Sequence, residues 1–152
     1  MKITTILPTA AVVAQLQATD KAGVLTELSQ ALAGAVDGVA EHDILHALLE
    51  REKLGSTSIG RGVAIPHAKM DGLPRMFAAF GRSSRGIAFD SPDGRPTYLF
   101  FLLLAPGQEL NNYLAALDRV SKLMWREENR QALLSADDGD VIEVLGRIDK
   151  ED

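Results

Sequence analysis

Tyr98-Leu99-Phe100-Phe101-Leu102-Leu103-Leu104-Ala105 is the longest uninterrupted apolar run in the chain, at eight residues. A half-buried strand alternates apolar and polar side chains, and this run does not alternate. It is also far shorter than the roughly 20 residues a membrane-spanning helix needs. It therefore predicts a central β-strand covered on both faces, as in a sheet enclosed by helices. Residues 63–66, 76–80 and 87–89 are also short, apolar and bounded by Gly, Pro or Asp, which is the pattern of further strands. Asp93-Gly94 is a turn dipeptide and predicts a hairpin between two of them.

On either side of this region the hydrophobic period changes to that of helices. Residues 20–33 predict one, with Asp20 as N-cap, Val24, Leu25, Leu28, Ala31 and Leu32 at helical spacing, and Gly34 as the left-handed residue after its end. Residues 41–53 predict a second, with the stripe Ile44, Leu45, Leu48 and Leu49, ended by Gly55. From Leu110 the helical period returns, with Leu114, Leu117, Val120, Leu123 and Met124 on one face. A short helix over 127–134 follows, and another starts after Asp140 with Val141, Val144 and Leu145. The expectation is a single α/β domain over residues 1–152, a mixed sheet of about five strands sandwiched between helical layers.

Composition narrows the function. The chain has 152 residues, 46% apolar and 24% charged, which excludes a disordered or fibrous protein. At this length folding buries about 70% of the unfolded surface, so the core needs no disulfide or metal. The formal charge of −5 argues against nucleic acid, whose phosphates require clustered Lys and Arg. There is no cysteine, so disulfides, thiolate catalysis and Cys-ligated zinc are excluded. Residues 6–18 are broken by Pro8, Thr9, Gln15 and Gln17 and preceded only by Lys2, so they do not form a signal peptide. A cytoplasmic protein without membrane insertion is expected.

Three histidines carry the candidate chemistry. His42 and His46 are four apart and share a helix face, but the stretch lacks the H-E-x-x-H pattern and a third ligand, so packing or surface roles outweigh a metal site. His67 follows Pro66 at the end of a predicted strand, where α/β sheets place ligands. That position suits a nucleophile or general base, and a polar loop histidine fits it equally. Residues 61–95 hold six basic side chains (Arg61, Lys69, Arg75, Arg82, Arg85, Arg95) against Asp71, Asp90 and Asp93. Such a cationic segment would favour a bound anion, unless the charges scatter over separate loops. Asp137-Asp138-Gly139-Asp140 predicts a turn with a helix N-cap rather than a metal site. P-loop, dinucleotide and nucleophile-elbow patterns are absent.

Residues 54–72, LGSTSIGRGVAIPHAKMDG, preceded by Arg51-Glu52, resemble the type-2 enzyme IIA domains of the bacterial phosphoenolpyruvate-dependent phosphotransferase system. The nearest kind is the stand-alone nitrogen-regulatory one. The family's R-E…G-S-T-x-I-G-x-G-[VI]-A-[IV]-P-H run is matched without a gap from Arg51 to His67. Lys21, Ile87-Ala88-Phe89-Asp90 and the run from Leu102 to Pro106 extend the likeness over essentially the whole chain. The resemblance implies that His67 is phosphorylated, at Nε2, by a histidine phosphocarrier protein. It also implies that Arg51 lies beside the phosphohistidine. Ser56 and Thr57 are candidate hydroxyl donors to phosphate oxygens, and Lys69 is a candidate phosphate-binding cation. No cofactor or resident metal is expected. Nε2 chemistry would require an acceptor to hold the Nδ1–H, and a neutral imidazole, with an ordinary pKa of ~6.5, is the nucleophilic form.

One position departs from the family. Where a second histidine usually faces the first, the sequence has Tyr113, after Asn111-Asn112. A tyrosine can donate a hydrogen bond but, with a pKa near ~10, cannot be cationic. The expected function is a phosphoryl carrier whose phosphorylation state controls the binding of regulatory targets. The absence of a membrane or IIB domain in the chain favours this branch. The alternatives are a fructose- or mannitol-type IIA that passes phosphate to a separate IIB, and a non-phosphorylated protein-binding module. A metal-dependent enzyme using His42 and His46 is a more distant third. Homodimerisation is left open.

Overall fold

The structure, a computed structural model, describes residues 1–150 and places the apolar run in the middle of a six-stranded mixed sheet. The strands are β1 (Val12–Val13), β2 (Ser58–Gly60), β3 (Val63–Ala64), β4 (His67–Lys69), β5 (Phe77–Ile87) and β6 (Thr97–Ala105). The helices are α1 (Lys21–Ala35), α2 (Glu41–Glu52), α3 (Leu110–Trp125), α4 (Glu127–Ser135) and α5 (Val141–Asp149). The sheet order is β1-β5-β6-β3-β2, with β4 also paired to β6. β5 and β6 are antiparallel, from Phe77 opposite Leu104 to Ile87 opposite Thr97, and are joined through the turn at Gly94, φ 70°. β3 and β4 both run parallel to β6 along the same edge, one after the other. Ile65-Pro66 separates them. Proline has no N–H to give a ladder, yet its carbonyl still accepts from Leu103 N at 2.9 Å.

The lack of alternation in β6 follows from burial on both faces. Leu99, Phe101, Leu103 and Ala105 pack with Val120, Leu123 and Met124 of α3, Leu133 of α4 and Val141 and Leu145 of α5. Phe100, Leu102 and Leu104 pack on the other side with Val24, Leu25, Leu28 and Leu32 of α1 and Ile44 and Leu48 of α2. Full burial of a large aliphatic or aromatic side chain contributes roughly 1.5–3 kcal/mol, so these two layers determine the architecture.

Several expectations are corrected. β1 and β2 were not anticipated, because two- and three-residue strands leave no periodic signal. Residues 77–80 and Ile87 belong to one long strand, bulged between Arg82 and Ile87, where the sequence is rich in turn residues, and Ala88-Phe89 lie beyond its end. Gly34 is inside α1, which runs on to Ala35, and the positive-φ glycine is Gly38. Leu114 is 53% exposed, and the inward positions of α3 are Tyr113, Ala116, Val120, Leu123 and Met124. Asp20 does cap α1, accepting from Gly23 N at 2.7 Å. Asp140 makes no side-chain cap; the segment Asp138–Asp140 is a short 3-10 turn.

Candidate functional site

His67 is the first residue of β4, opposite Leu103, not the last residue of the preceding strand. This register turns its ring toward α3 and leaves it half-buried. β4 pairs with β6 on one edge and with no strand on the other among the described residues. The imidazole Nδ1 lies 2.5 Å from the Ile65 carbonyl oxygen. A carbonyl only accepts, so Nδ1 carries the proton and donates it, and in the neutral ring the lone pair is then on Nε2. Burial holds His67 below the ordinary value of 6.5. The Ile65 carbonyl pulls it upward, Arg51 pulls it down and Glu52 raises it. The site therefore presents a neutral imidazole with a defined nucleophilic nitrogen. It is a surface site. Cavities of about 410 and 400 Å³ lie elsewhere, beside Arg82 and Tyr98 and beside Pro8 and Phe77.

Arg51 and Glu52 end α2 and point to different tasks. Arg51 donates through Nη1 to the Gly55 carbonyl at 2.9 Å, which folds the following loop back on the helix end. It is close enough to His67 and Tyr113 to lower the proton affinity of both. The Glu52 side chain is 5% exposed and ion-pairs with Lys21 Nζ at 2.8 Å. It also accepts from the Thr57 amide at 3.3 Å and from the Thr57 hydroxyl through a short bond. Lys21 also lies over the Phe89 ring at 4.7 Å and bonds Asp90 at 3.2 Å; burial lowers its pKa, and Glu52 and then Asp90 outweigh that effect and hold it above 10.5. Glu52 was visible in the sequence only as the neighbour of Arg51. Its role required knowing that α1 and the 53–57 loop meet there.

Tyr113 comes to His67 from the first turns of α3, with ring centroids 5.7 Å apart in an edge-on contact at 61°. Its phenol is pushed up to about 12 by burial, against a lowering by Arg51, so it stays protonated and neutral. Lys69 is exposed on the same face of β4 as His67. Ser56 and Thr57 are present at the site, but each hydroxyl has one proton to give. Ser56 gives its proton to the Phe89 carbonyl at 2.7 Å and Thr57 gives its own to Glu52. In this structure both hydroxyls thereby shape the loop.

Three members of the cationic segment are engaged with other partners. Arg82 is bonded to Asp138 at 2.8 Å, Arg61 stacks on Trp125 at 3.8 Å, and Arg75 stacks on Phe77 at 4.9 Å. His42, 86% exposed in its side chain, lies 3.5 Å from Asp43, and no group of three or more metal-ligating side chains occurs among the described residues. No described helix is long and apolar enough to cross a membrane.

Residues 5–147 match the family model described as phosphoenolpyruvate-dependent sugar phosphotransferase system, EIIA 2. Over 142 residues the chain is 39% identical to a nitrogen regulatory protein of Bradyrhizobium diazoefficiens, covering 93% of this chain and 92% of that one. It is 37% identical over 151 residues to the PTS system fructose-specific EIIABC component of Bacillus subtilis, covering 99% of this chain and 24% of that protein. It thus spans about a quarter of that relative's length. Among solved structures, nitrogen regulatory protein IIA-Ntr from Neisseria meningitidis superposes with a TM-score of 0.86 at 31% identity, covering 93% and 97% of the two chains. Enzyme IIA mannitol of Escherichia coli, solved in complex with phosphorylated enzyme IIB, shares the fold with a TM-score of 0.76 at 18% identity, over 91% and 96%.

Proposed function

The chain belongs to the type-2 enzyme IIA family of the phosphoenolpyruvate-dependent phosphotransferase system, and from this we propose that it is a phosphoryl carrier with His67 as acceptor. The observation that carries the reading is the Nδ1–H bond to the Ile65 carbonyl, which leaves Nε2 unprotonated. The donor is a histidine phosphocarrier protein. Nε2 attacks its phosphorus, the new N–P bond forms as the donor's N–P bond breaks, and the donor nitrogen keeps the electron pair. Such transfer runs through a loose transition state, so the protein contributes positioning and charge balance. Arg51 supplies the cation, Tyr113 a neutral donor, and Lys69 a further positive charge at the rim. The half-buried placement suits an acceptor that must reach a partner's active site. Greater likeness to the IIA-Ntr structure than to the mannitol protein supports the regulatory branch, in which the phosphorylation state governs binding to target proteins.

The experiment is incubation with phosphoenolpyruvate, the general phosphotransfer proteins and wild-type or His67→Ala chain. Intact mass is then recorded at alkaline pH, where phosphoramidates survive. One phosphoryl group is expected on the wild type and none on the variant. A second reading, a binding module without phosphorylation, is favoured by Tyr113 in place of the second histidine. An unmodified wild-type chain in this assay would select it.

A further inference from the structure

Besides its direct neighbours, His67 is tied to a buried cluster that makes no contact with phosphate in the reading above. Lys21 of α1 pairs with Glu52 of α2, and Glu52 holds both the amide and the hydroxyl of Thr57. The Thr57 carbonyl accepts from Ile65 N at 3.0 Å. The Ile65 carbonyl in turn accepts from His67 Nδ1. The connection is continuous from Lys21 to the acceptor ring, and its central members are closed to solvent, with Thr57 and the Glu52 side chain each 5% exposed.

We infer that the Lys21–Glu52–Thr57 cluster positions His67, fixing through the Thr57 and Ile65 main chain which ring nitrogen is free to take phosphorus. The argument starts from Glu52. A buried carboxylate is tolerated only with its lone pairs filled, and the donors within reach are Lys21 and the two groups of Thr57. This requirement pins Thr57. Thr57 then fixes the plane of the Ala64–Ile65 peptide through the Ile65 N–H. Ile65 ψ, held extended by the following Pro66, passes that orientation to the Ile65 carbonyl, and the direction of this carbonyl decides the tautomer of the imidazole. If Thr57 is loosened, the carbonyl swings and the ring can carry its proton on Nε2, which removes the nucleophilic lone pair. Glu52 and Thr57 thus act through the main chain and touch neither phosphorus nor donor. The inference rests on His67 being the phosphoryl acceptor.

The test separates the two readings. Thr57→Val removes the hydroxyl at nearly constant volume and leaves the charged and titratable groups facing His67 in place, namely Arg51 and Glu52 from α2, Tyr113 from α3, and Lys69 on its own strand. Nitrogen-15 NMR of the His67 imidazole in the unphosphorylated protein should show the Nδ1–H tautomer alone in the wild type, a mixture in Thr57→Val, and a return to Nδ1–H in Thr57→Ser. The initial phosphorylation rate should fall roughly tenfold or more in Thr57→Val, the scale set by small misplacements of a reacting group, and recover in Thr57→Ser. Lys21→Met, which frees one side of Glu52, should shift the tautomer in the same direction and covers the case of an unfolded valine variant. An unchanged Nδ1–H tautomer in whichever of the two variants folds would overturn the inference. A wild-type chain that takes no phosphate would remove the carrier reading while the NMR result still decides the positioning.

Discussion

Arg82, midway along β5, has a side chain 8% exposed, whereas Arg51 lies half-buried at the end of α2 with one side-chain hydrogen bond among the described residues, to Gly55. Arg82 bonds the Ala14 carbonyl at 3.0 Å through Nε, and the Leu133 and Ala136 carbonyls at 2.7 and 2.6 Å through Nη1. Its Nη2 reaches Asp138 at 2.8 Å. A guanidinium has five N–H donors, and Arg82 has committed four of them to tying the N-terminal segment, the end of α4 and the following turn to the sheet. Arg51 keeps most of its donors for another partner. In a tally of charges the two are equal. In the fold one is a fastener and the other, in the function proposed above, is a cation available to an incoming phosphoryl group, so local charge along the sequence is a poor guide to charge at a site.

The largest effect expected from this contrast is on stability, at Arg82. Arg82→Met leaves three carbonyls without their donor and should cost about 3 kcal/mol, a fall in Tm of roughly 6–12 °C for a chain of this size. The phosphorylation rate of the folded protein should stay near wild type. Arg51→Gln should do the reverse, with stability changed by less than about 1 kcal/mol and the initial rate of phosphorylation down about 100-fold, the scale for removing one preorganised charge from a transition state. Thermal melts beside alkaline mass spectrometry decide both. If Arg82→Met slowed transfer as much as Arg51→Gln, the division between fastener and site cation would be wrong.

The part of the molecule legible in the sequence is the part governed by long periodic burial. Residues 99–105 announce the central strand because every one of them is buried, and Asp20 announces the start of α1 because its cap is local. The family likeness placed Arg51, His67 and Tyr113, and the fold brings these three together. What stayed hidden depends on tertiary register. The sequence put His67 at the end of a strand, but Pro66 splits that strand in two, and only pairing with Leu103 shows His67 beginning the second half. The Ile65 carbonyl, the group that sets the tautomer, is main chain and carries no residue signature. Ser56 and Thr57 were read by their hydroxyls, yet the destination of each proton depends on Phe89 and Glu52 being folded against them.

The smallest effect expected is at Tyr113, and it sharpens the contrast from the opposite direction, by adding a charge where the fold has none. In the wild type burial holds His67 below 6.5, while the Tyr113 phenol keeps its proton up to about 12. The protonated imidazole has no lone pair to attack with. The initial rate should therefore be flat above about pH 6.5 and fall only as pH drops through the depressed value of His67. The same depression makes the His67 contribution to stability complete above the unfolded value and lost on acidification, so the rates belong to the pH range where the circular dichroism of the native fold persists. Tyr113→His puts an imidazole 5–6 Å from the first ring, by the present centroid distance of 5.7 Å. Where the new ring is protonated it should raise the rate a few-fold, and the advantage should fade as pH rises through its own titration, turning the flat profile into a bell. A Tyr113→His profile that overlays the wild type would mean that charge at this position plays no part in phosphoryl transfer, and that Arg51 and Lys69 carry the electrostatics of the site.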